Sequence, residues 1–357
     1  MYASQFHKRW CQIEIVHGIL KKIDFYDVPF NSSSILGALK CAYPMSPEIL
    51  DDPNTWWFNG HLLCNTRAPW NPRISKQLIE YISKLQFPIK TCTFYLNPRD
   101  FPWLRKDRTF PYPFLLKALP YNVTFLPLSF YGGKDWDDLL VSPPEHWNVW
   151  EESLPLRQIP FRNRGAVFRG TLTGRYMDNR NIRIRVCECP MVDGGLTQWT
   201  KRERVKEIRD GELLLDFPPP IRQELIRPEM PKWQQCENSV LVYVPGHVAS
   251  SRLGWQLCSG SCVLSVVDPS CVAPHMWFHE YIPHIAKYDN GFKVTDKTVY
   301  FECEIEDLSS AIQWILSNEK IMYAVIKQCL EWASQYFSPE FQKRVWIAKF
   351  YIAHKQK

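Results

Sequence analysis

Short apolar runs alternate with loops rich in glycine, serine and threonine through the second half of the chain. Apolar runs of strand length occur at 165–169, 239–244 and 262–267, and turn-forming residues bound each of them. Between these runs the pattern favours a helix near 179–186 and another over 250–258, which opens with two serines, residues that commonly cap helices. This strand–loop–helix order predicts a parallel sheet with Rossmann-like connections.

The first half of the chain is less regular. Apolar positions that share one face predict a helix over 72–86, and apolar runs predict strands at 91–96 and 122–130. Residues 1–65 show no clear pattern. A stretch rich in proline and tryptophan, 142–160, has no periodicity, and we therefore place the domain boundary within it.

The end of the chain is predicted to be helical, with Asp307 capping one helix and Pro339 in the first turn of the last. The patterns together predict an α/β protein in three parts. We expect a Rossmann-like domain over 1–150, a second over 151–335, and a C-terminal helix over 336–357 that packs back on the first domain.

Composition narrows the class of protein. Of the 357 residues 45% are hydrophobic and 22% are charged, as in globular proteins. The net charge of +6 suits anionic ligands, and the lack of a long basic run argues against a nucleic-acid partner. Neither a signal core nor an apolar stretch of membrane-spanning length is visible. Twelve cysteines without a CxxC pair indicate reduced thiols, so we expect a cytoplasmic protein with no membrane span.

Three loops that follow predicted strands carry residues suited to a sugar nucleotide. Asp100, in the turn 97–102, could accept a proton from an acceptor hydroxyl. Arginines, small residues and exposed backbone N–H groups in the other two loops could hold a diphosphate. These candidate binding residues are Arg169, Gly170, Thr171, Thr173, Arg175 and Arg180, followed by Gly246, Ser250, Ser251 and Arg252. Taken singly, each has an ordinary explanation, such as a turn aspartate or a salt-bridged surface arginine.

Two further groups of residues suggest metals. Asp135 and Asp137 form a D-x-D motif, which can hold Mn²⁺ under a diphosphate but also arises often by chance. His275, His279 and His284 have the wrong spacing for a zinc protease helix. We therefore interpret the histidines as structural.

Several short motifs follow one another in a fixed order. An N-x-R-D-x-P turn occupies 97–102, an F-R-G-[ST]-x-T loop occupies 168–173, and a G-x-x-x-S-x-R element runs from Gly246 through Ser250 to Arg252. The shorter matches are Ser129-Phe130, Trp136, Asp138 and Leu139, then Val192-Asp193 and Trp199, then Gly260-Ser261 and Asp307-Leu308-Ser309. In order and approximate spacing the set resembles the Rumi-type protein O-glycosyltransferases and the related capsule-associated xylosyltransferases, glycosyltransferase family ninety.

The resemblance implies a GT-B-like fold, in which two Rossmann-like domains face each other across a cleft. It implies an inverting transfer of a sugar, glucose or xylose, from a UDP-sugar to a hydroxyl of a protein or glycan acceptor, with no metal or other cofactor. In that scheme Asp100 is the general base, and Thr171 and Arg252 bind the diphosphate. The family has a further arginine after F-R-G, for which Arg175 or Arg180 must substitute here.

Two alternatives remain open at this point. A catalytically degenerate member of the family would act as a glycan-binding or structural protein. A metal-dependent transferase would use Asp135 and Asp137. Residues 1–65 match no motif of the family, so the acceptor is the part of the reaction that the resemblance defines least.

Overall fold

A computed structural model describes most of the second half of the chain and separate segments of the first. The described backbone comprises residues 10–16, 19–26, 57–58, 62–63, 91–97, 128–133, 139–159, 163–174, 181–199, 204–209, 212–216, 219–246, 249–267 and 274–355. Internal contacts divide the chain into two compact units, one of 1–144 with 343–357 and one of 145–342. The division at residue 144 falls within the stretch rich in proline and tryptophan.

The strands are β1 (Trp10–Val16), β2 (Ile19–Tyr26), β3 (Trp57–Phe58), β4 (Leu62–Leu63), β5 (Thr91–Asn97), β6 (Leu128–Ser129), β7 (Tyr131–Gly133), β8 (Leu139–Leu140), β9 (Asn163–Thr171), β10 (Val192–Gln198), β11 (Arg204–Arg209), β12 (Glu212–Asp216), β13 (Asn238–Tyr243), β14 (Cys262–Val267), β15 (Pro274–Met276), β16 (His284–Lys287) and β17 (Thr298–Glu304). The α-helices are α1 (Val149–Glu152), α2 (Leu154–Arg157), α3 (Ile182–Glu188), α4 (Lys232–Gln235), α5 (Arg252–Leu257), α6 (Leu308–Ser317), α7 (Glu319–Tyr336) and α8 (Pro339–Lys355). Short 3-10 turns lie at Pro144–His146, Gln223–Leu225, Trp277–Tyr281 and Ile305–Asp307.

The first unit contains a five-stranded sheet in the order β2-β1-β5-β6-β8. β1 is antiparallel to both β2 and β5, whereas β5, β6 and β8 run parallel. The sheet is therefore mixed rather than wholly parallel, because residues 1–65, where the sequence showed no pattern, contribute an antiparallel hairpin. In the same unit Trp346 of α8 is fully buried, and its indole N–H donates to Ser142 Oγ at 3.0 Å.

The second unit is built on a six-stranded sheet in the order β10-β9-β13-β14-β17-β16, with every neighbouring pair parallel. The prediction of an α/β unit with a parallel sheet is confirmed here. Strands β13 and β14 are buried along almost their whole length, as expected when helices cover both faces of a parallel sheet.

Most predicted elements of this unit are present, with shifted ends. The strand at 262–267 coincides with β14, and the strand predicted at 239–244 is β13, one residue earlier. The helix predicted near 179–186 begins only at Ile182, because Asn181 Oδ1 accepts the backbone N–H groups of Arg183 and Ile184 as an N-cap.

The prediction that serine side chains cap the helix over 250–258 is wrong. The helix, α5, begins at Arg252, and Ser251 is the N-cap residue by position only, with no side-chain hydrogen bond to the backbone. The strand predicted over 122–130 is described only at β6, and the helix predicted over 72–86 lies outside the described residues. No helix in the described part of the chain combines the length and apolar character that crossing a bilayer requires.

Candidate functional site

The chain order of the parallel sheet defines one position where a ligand would be expected. From β9 the chain passes to β10 on one side of it, and β13 then lies on the other side. The connection after β9 therefore leads to one side of the sheet order and the connection after β13 leads to the other. In open α/β sheets this switch point forms a crevice that commonly binds ligands. The two motif loops identified in the sequence, after Thr171 and after Tyr243, both begin there.

Arg183 ties these two loops together from within α3. Its guanidinium donates from Nη1 to Thr171 O at 2.6 Å, from Nη2 to Val244 O at 3.0 Å and from Nε to Pro245 O at 3.3 Å. The side chain is only 7% exposed. A single buried cation thus joins the ends of two neighbouring strands through their carbonyl groups, which are acceptors that a guanidinium fork fits well.

Two glycines allow the loops to approach each other. A Cβ on Gly246 would lie 2.8 Å from Thr173 Oγ1, closer than a side chain tolerates. Gly174 has φ +100°, a conformation that favours glycine. Asn181 Nδ2 also donates to Thr173 O at 2.9 Å, so the N-cap of α3 holds the same loop. The structure therefore brings Thr173 and Gly246, which are 73 positions apart in the sequence, into direct contact.

Arg252 is the first residue of α5 and lies near the same crevice. Its guanidinium carbon is 6.0 Å from the centre of the Phe168 ring on β9. Burial lowers the pKa of Arg252, and the nearby Tyr243 acts in the opposite direction. No described residue forms a hydrogen bond or ion pair with this guanidinium. A partly buried cation is costly unless an anion pairs with it, so Arg252, which has no such partner among the described residues, is a candidate position for an anion.

The segment before Arg252 is held at both of its serines. The backbone N–H of Ser250 donates to Tyr243 Oη at 2.9 Å, and burial raises the pKa of this tyrosine to about 12. Ser251 O lies 2.8 Å from His146 Nε2. Both contacts are made by backbone atoms of the serines, and neither involves a serine hydroxyl group.

Arg169 has a different environment from Arg252. Its Nη2 makes a bidentate contact with the Asp193 carboxylate at 2.9 and 3.0 Å, and Nη1 donates to backbone oxygens of Phe168 and Asp193. Successive side chains of a strand point to opposite faces of a sheet, so Arg169 projects to the face opposite Phe168. Asp193 neutralises Arg169, which joins β9 to β10. Its contact with a nucleotide stays a prediction.

The remaining candidate site residues either lie at the end of β9 or fall outside the described residues. Gly170 and Thr171 are the last two residues of β9, and the Thr171 carbonyl is one of the three that Arg183 holds. The other candidates, Asp100, Arg175, Arg180, Asp135 and Asp137, lie outside the described residues.

The histidines that resemble a zinc motif have local partners. The Met276 N–H donates to His279 Nδ1 at 3.0 Å, and His284 Nδ1 lies 2.8 Å from Thr298 Oγ1. Burial, with a smaller effect of His275, lowers the pKa of His279 to about 3. Among the side chains that the structure describes, no group of three or more possible ligands is arranged to hold a metal. The contacts of His279 and His284 are those of structural histidines.

His146 is a buried residue that the sequence analysis did not single out. The Trp277 indole N–H donates to its Nδ1 at 3.1 Å, so the ring proton of the neutral form lies on Nε2 and is donated to Ser251 O. Burial lowers the pKa of His146 to about 4; the hydrogen bond to the Ser251 carbonyl acts in the opposite direction and Lys232 in the same direction, both with smaller effects. The native protein therefore keeps this imidazole neutral across the physiological range.

We expect this burial to make stability depend on pH. The unfolded chain protonates His146 near its ordinary pKa of 6.5, whereas the folded chain does so only near 4. The free energy of unfolding that is linked to His146 is therefore at its full value above pH 6.5. It falls progressively as the pH falls towards 4, by about 3 kcal/mol in all. Urea unfolding at several pH values should show a shallower decline for His146→Gln. An equally steep decline in that variant would contradict the assignment.

Comparison of the sequence with known proteins identifies relatives of low sequence identity. No protein-family model matches the chain. It is 24% identical over 323 residues to uncharacterized protein 035R of invertebrate iridescent virus 3, covering 78% of the chain and 27% of that protein. It is 26% identical over 270 residues to uncharacterized protein 027R of Frog virus 3, covering 65% of the chain and 26% of that protein. The chain thus spans well under a third of the length of each of these two relatives.

Among solved structures, the chain is similar to the crystal structure of TarM. The match has a TM-score of 0.34 and 12% identity, and it covers 70% of the chain and 42% of TarM. These values lie below the level at which a shared fold follows from the likeness. The parallel sheet of the second unit is established by its own strand pairing.

Proposed function

We propose that the protein is an inverting glycosyltransferase that transfers a sugar from UDP to a hydroxyl of a protein or glycan. The observation that carries the proposal is the Arg252 guanidinium, partly buried near the switch point of the parallel sheet without a hydrogen bond or ion pair to any described residue. The diphosphate of a nucleotide sugar supplies the anion that such a position lacks. The motif order along the chain supports the choice of UDP-sugar over other anionic ligands.

The two loops at the switch point suit a diphosphate in a second way. Gly174 and Gly246 have no side chain where the loops meet, so a ligand can approach the backbone N–H groups closely. The Thr173 hydroxyl lies between these loops. Arg183 holds the strand ends from which both loops start, so these ends are in place before a ligand binds.

The chemistry assigned to the site follows from these positions. Asp100 would take the proton from the acceptor hydroxyl as its oxygen forms a bond to the anomeric carbon of the sugar. The bond from that carbon to the diphosphate oxygen breaks, and its electron pair leaves with UDP. Arg252 would stabilise the negative charge that develops on the departing diphosphate. Positive side chains take the place of a metal in this scheme.

Replacing Arg252 by alanine tests the nucleotide half of the proposal. A hydrogen bond between a charged group and phosphate contributes about 1.5–3 kcal/mol, so the affinity for UDP should fall by about tenfold or more. Arg252→Lys should restore only part of it, because an ammonium group lacks the two-pronged fork. Isothermal titration calorimetry with UDP measures both variants directly.

Arg185→Ala is the matched control for this experiment. Arg185 is also an arginine of the second unit, but its guanidinium pairs with Glu306, in the turn that follows β17. Its replacement should leave the UDP affinity unchanged. If Arg252→Ala binds UDP as tightly as the unaltered protein, the guanidinium does not hold the diphosphate and the proposal fails.

A further inference from the structure

The segment that carries Arg252 rests on a single buried imidazole. His146 is fully buried, in the 3-10 turn Pro144–His146. Its Nε2 lies 2.8 Å from the carbonyl oxygen of Ser251, the residue immediately before Arg252. The same carbonyl also accepts the Gly254 backbone N–H at 3.1 Å, which forms the first turn of α5. One carbonyl thus connects the imidazole to the start of the helix.

The contact between the imidazole and α5 leaves no space for a side chain. A Cβ on Gly254 would lie 2.4 Å from His146 Nε2 and 2.7 Å from its Cδ2. The helix backbone therefore packs directly on the ring. No side chain therefore lies between the ring and the backbone two residues after Arg252.

The orientation of the imidazole is itself fixed from the other side. The Trp277 indole N–H donates to Nδ1, so Nδ1 is an acceptor and the proton of the neutral ring is on Nε2. The Phe278 and Phe337 rings have centroids 5.8 and 5.6 Å from the imidazole. The His146 carbonyl accepts from Gln342 Nε2 at 2.8 Å, which holds its backbone. Both the position and the tautomer of the ring are thereby determined.

We propose that His146 is a positioning residue for Arg252: its Nε2 proton holds the Ser251 carbonyl and so sets the direction in which the guanidinium faces the diphosphate. This inference rests on the proposed function, because it takes Arg252 as the diphosphate ligand. His146 itself does not touch the ligand. It acts through the backbone of the residue next to Arg252, much as a residue that hydrogen-bonds to a metal ligand orients that ligand without touching the metal.

Protonation of His146 would disrupt this arrangement. A second ring proton on Nδ1 would face the Trp277 N–H, and two donors cannot share that hydrogen bond. The charged or titratable groups nearby are Lys232 and His279, and both disfavour a positive charge on the ring. Burial acts in the same direction. The Ser251 carbonyl acts in the opposite direction with a smaller effect. The surroundings of His146 thus keep the ring neutral, with Nδ1 an acceptor for the Trp277 N–H, at the pH values where a nucleotide would bind.

A double-mutant cycle with calorimetry of UDP binding tests the inference. His146→Leu removes the donor, and we expect the UDP affinity to fall by about fivefold or more, the usual effect of losing one buried hydrogen bond. The loss cannot exceed that of Arg252→Ala if His146 acts through Arg252. In the Arg252→Ala background the further change to His146→Leu should therefore have little effect.

Rescue by a related side chain separates positioning from simple filling of space. The amide of His146→Gln can donate to the Ser251 carbonyl, so this variant should keep most of the affinity that His146→Leu loses. Trp277→Phe removes the donor to Nδ1 and changes no residue of α5. The ring proton can then move from Nε2 to Nδ1. We expect an intermediate loss of UDP affinity in that variant. Nitrogen-15 spectra of the ring should show the Nε2-protonated form in the unaltered protein.

Each outcome has a distinct meaning. Equal losses from His146→Leu with and without Arg252 would show a general effect on the fold and overturn the inference while leaving the proposed function in place. Unchanged UDP affinity in His146→Gln and Trp277→Phe, together with an Nδ1-protonated ring, would also overturn it. If Arg252→Ala alone leaves UDP binding intact, the proposed function fails and the inference fails with it.

Discussion

Replacing Arg183 by methionine is expected to lower the free energy of unfolding by about 3 kcal/mol or more. Methionine fills much of the same volume but donates nothing to the carbonyls of Thr171, Val244 and Pro245, which Arg183 contacts at 2.6–3.3 Å. A buried hydrogen bond from a charged donor contributes about 1.5–3 kcal/mol, and three such contacts are lost together. Urea unfolding of the variant at neutral pH measures the change.

Arg185→Met is the control on the same helix. Arg185 is two residues further along α3 and pairs with Glu306 near the surface, where an ion pair contributes less than about 1 kcal/mol. The two variants make the same chemical change to arginines that a sequence pattern does not distinguish. Equal effects of the two replacements would contradict the role of Arg183 in joining the strand ends. Arg183→Met should also weaken UDP binding, because both loops lose their common support.

Replacing Asp100 by asparagine is expected to slow the release of UDP from UDP-glucose or UDP-xylose by about a hundredfold or more. That is the usual contribution of a general base, and asparagine keeps the size of the side chain while removing its basicity. UDP affinity should change little, because the base is assigned to the acceptor rather than to the nucleotide. Release of UDP is measurable with water as the acceptor, and calorimetry gives the affinity.

Asp296→Asn makes the same chemical change at an exposed position of the second unit and should have no effect. Unchanged UDP release in Asp100→Asn would remove the aspartate from the reaction. UDP binding by the unaltered protein without release from any UDP-sugar would instead indicate a catalytically degenerate, binding protein. Activity that EDTA abolishes and Mn²⁺ restores would favour the metal-dependent alternative with Asp135 and Asp137.

The parallel sheet could be predicted because its strands are buried on both faces. A short continuous apolar run bounded by turn residues, such as 262–267, predicts a strand buried on both faces. β14 has these bounds. The start of α3 also carried a signal, since Asn181 precedes its apolar face and caps it. The antiparallel hairpin β1–β2 was not predicted, although polar and apolar residues alternate over 12–15 and Gly18 lies between the two strands.

The division of roles among the arginines could not be predicted. Arg183 and Arg185 alternate with apolar residues on one short helix, yet one joins two strand ends and the other meets solvent and Glu306. Which arginine is buried depends on the neighbouring loops, which come from β9 and β13. The same holds for His146, whose partners Ser251 and Trp277 lie more than one hundred residues away.

The contacts of Arg183 also imply an order of events during synthesis. Its acceptor on β9, Thr171, lies twelve residues earlier, whereas Val244 lies 61 residues later. A growing chain that ends before β13 therefore carries a guanidinium whose second anchor has not yet been made. Contacts of such long sequence separation form late and slowly. The candidate ligand site can exist only after the ribosome has delivered β13, and truncated chains that stop earlier should expose Arg183 to proteases and chaperones.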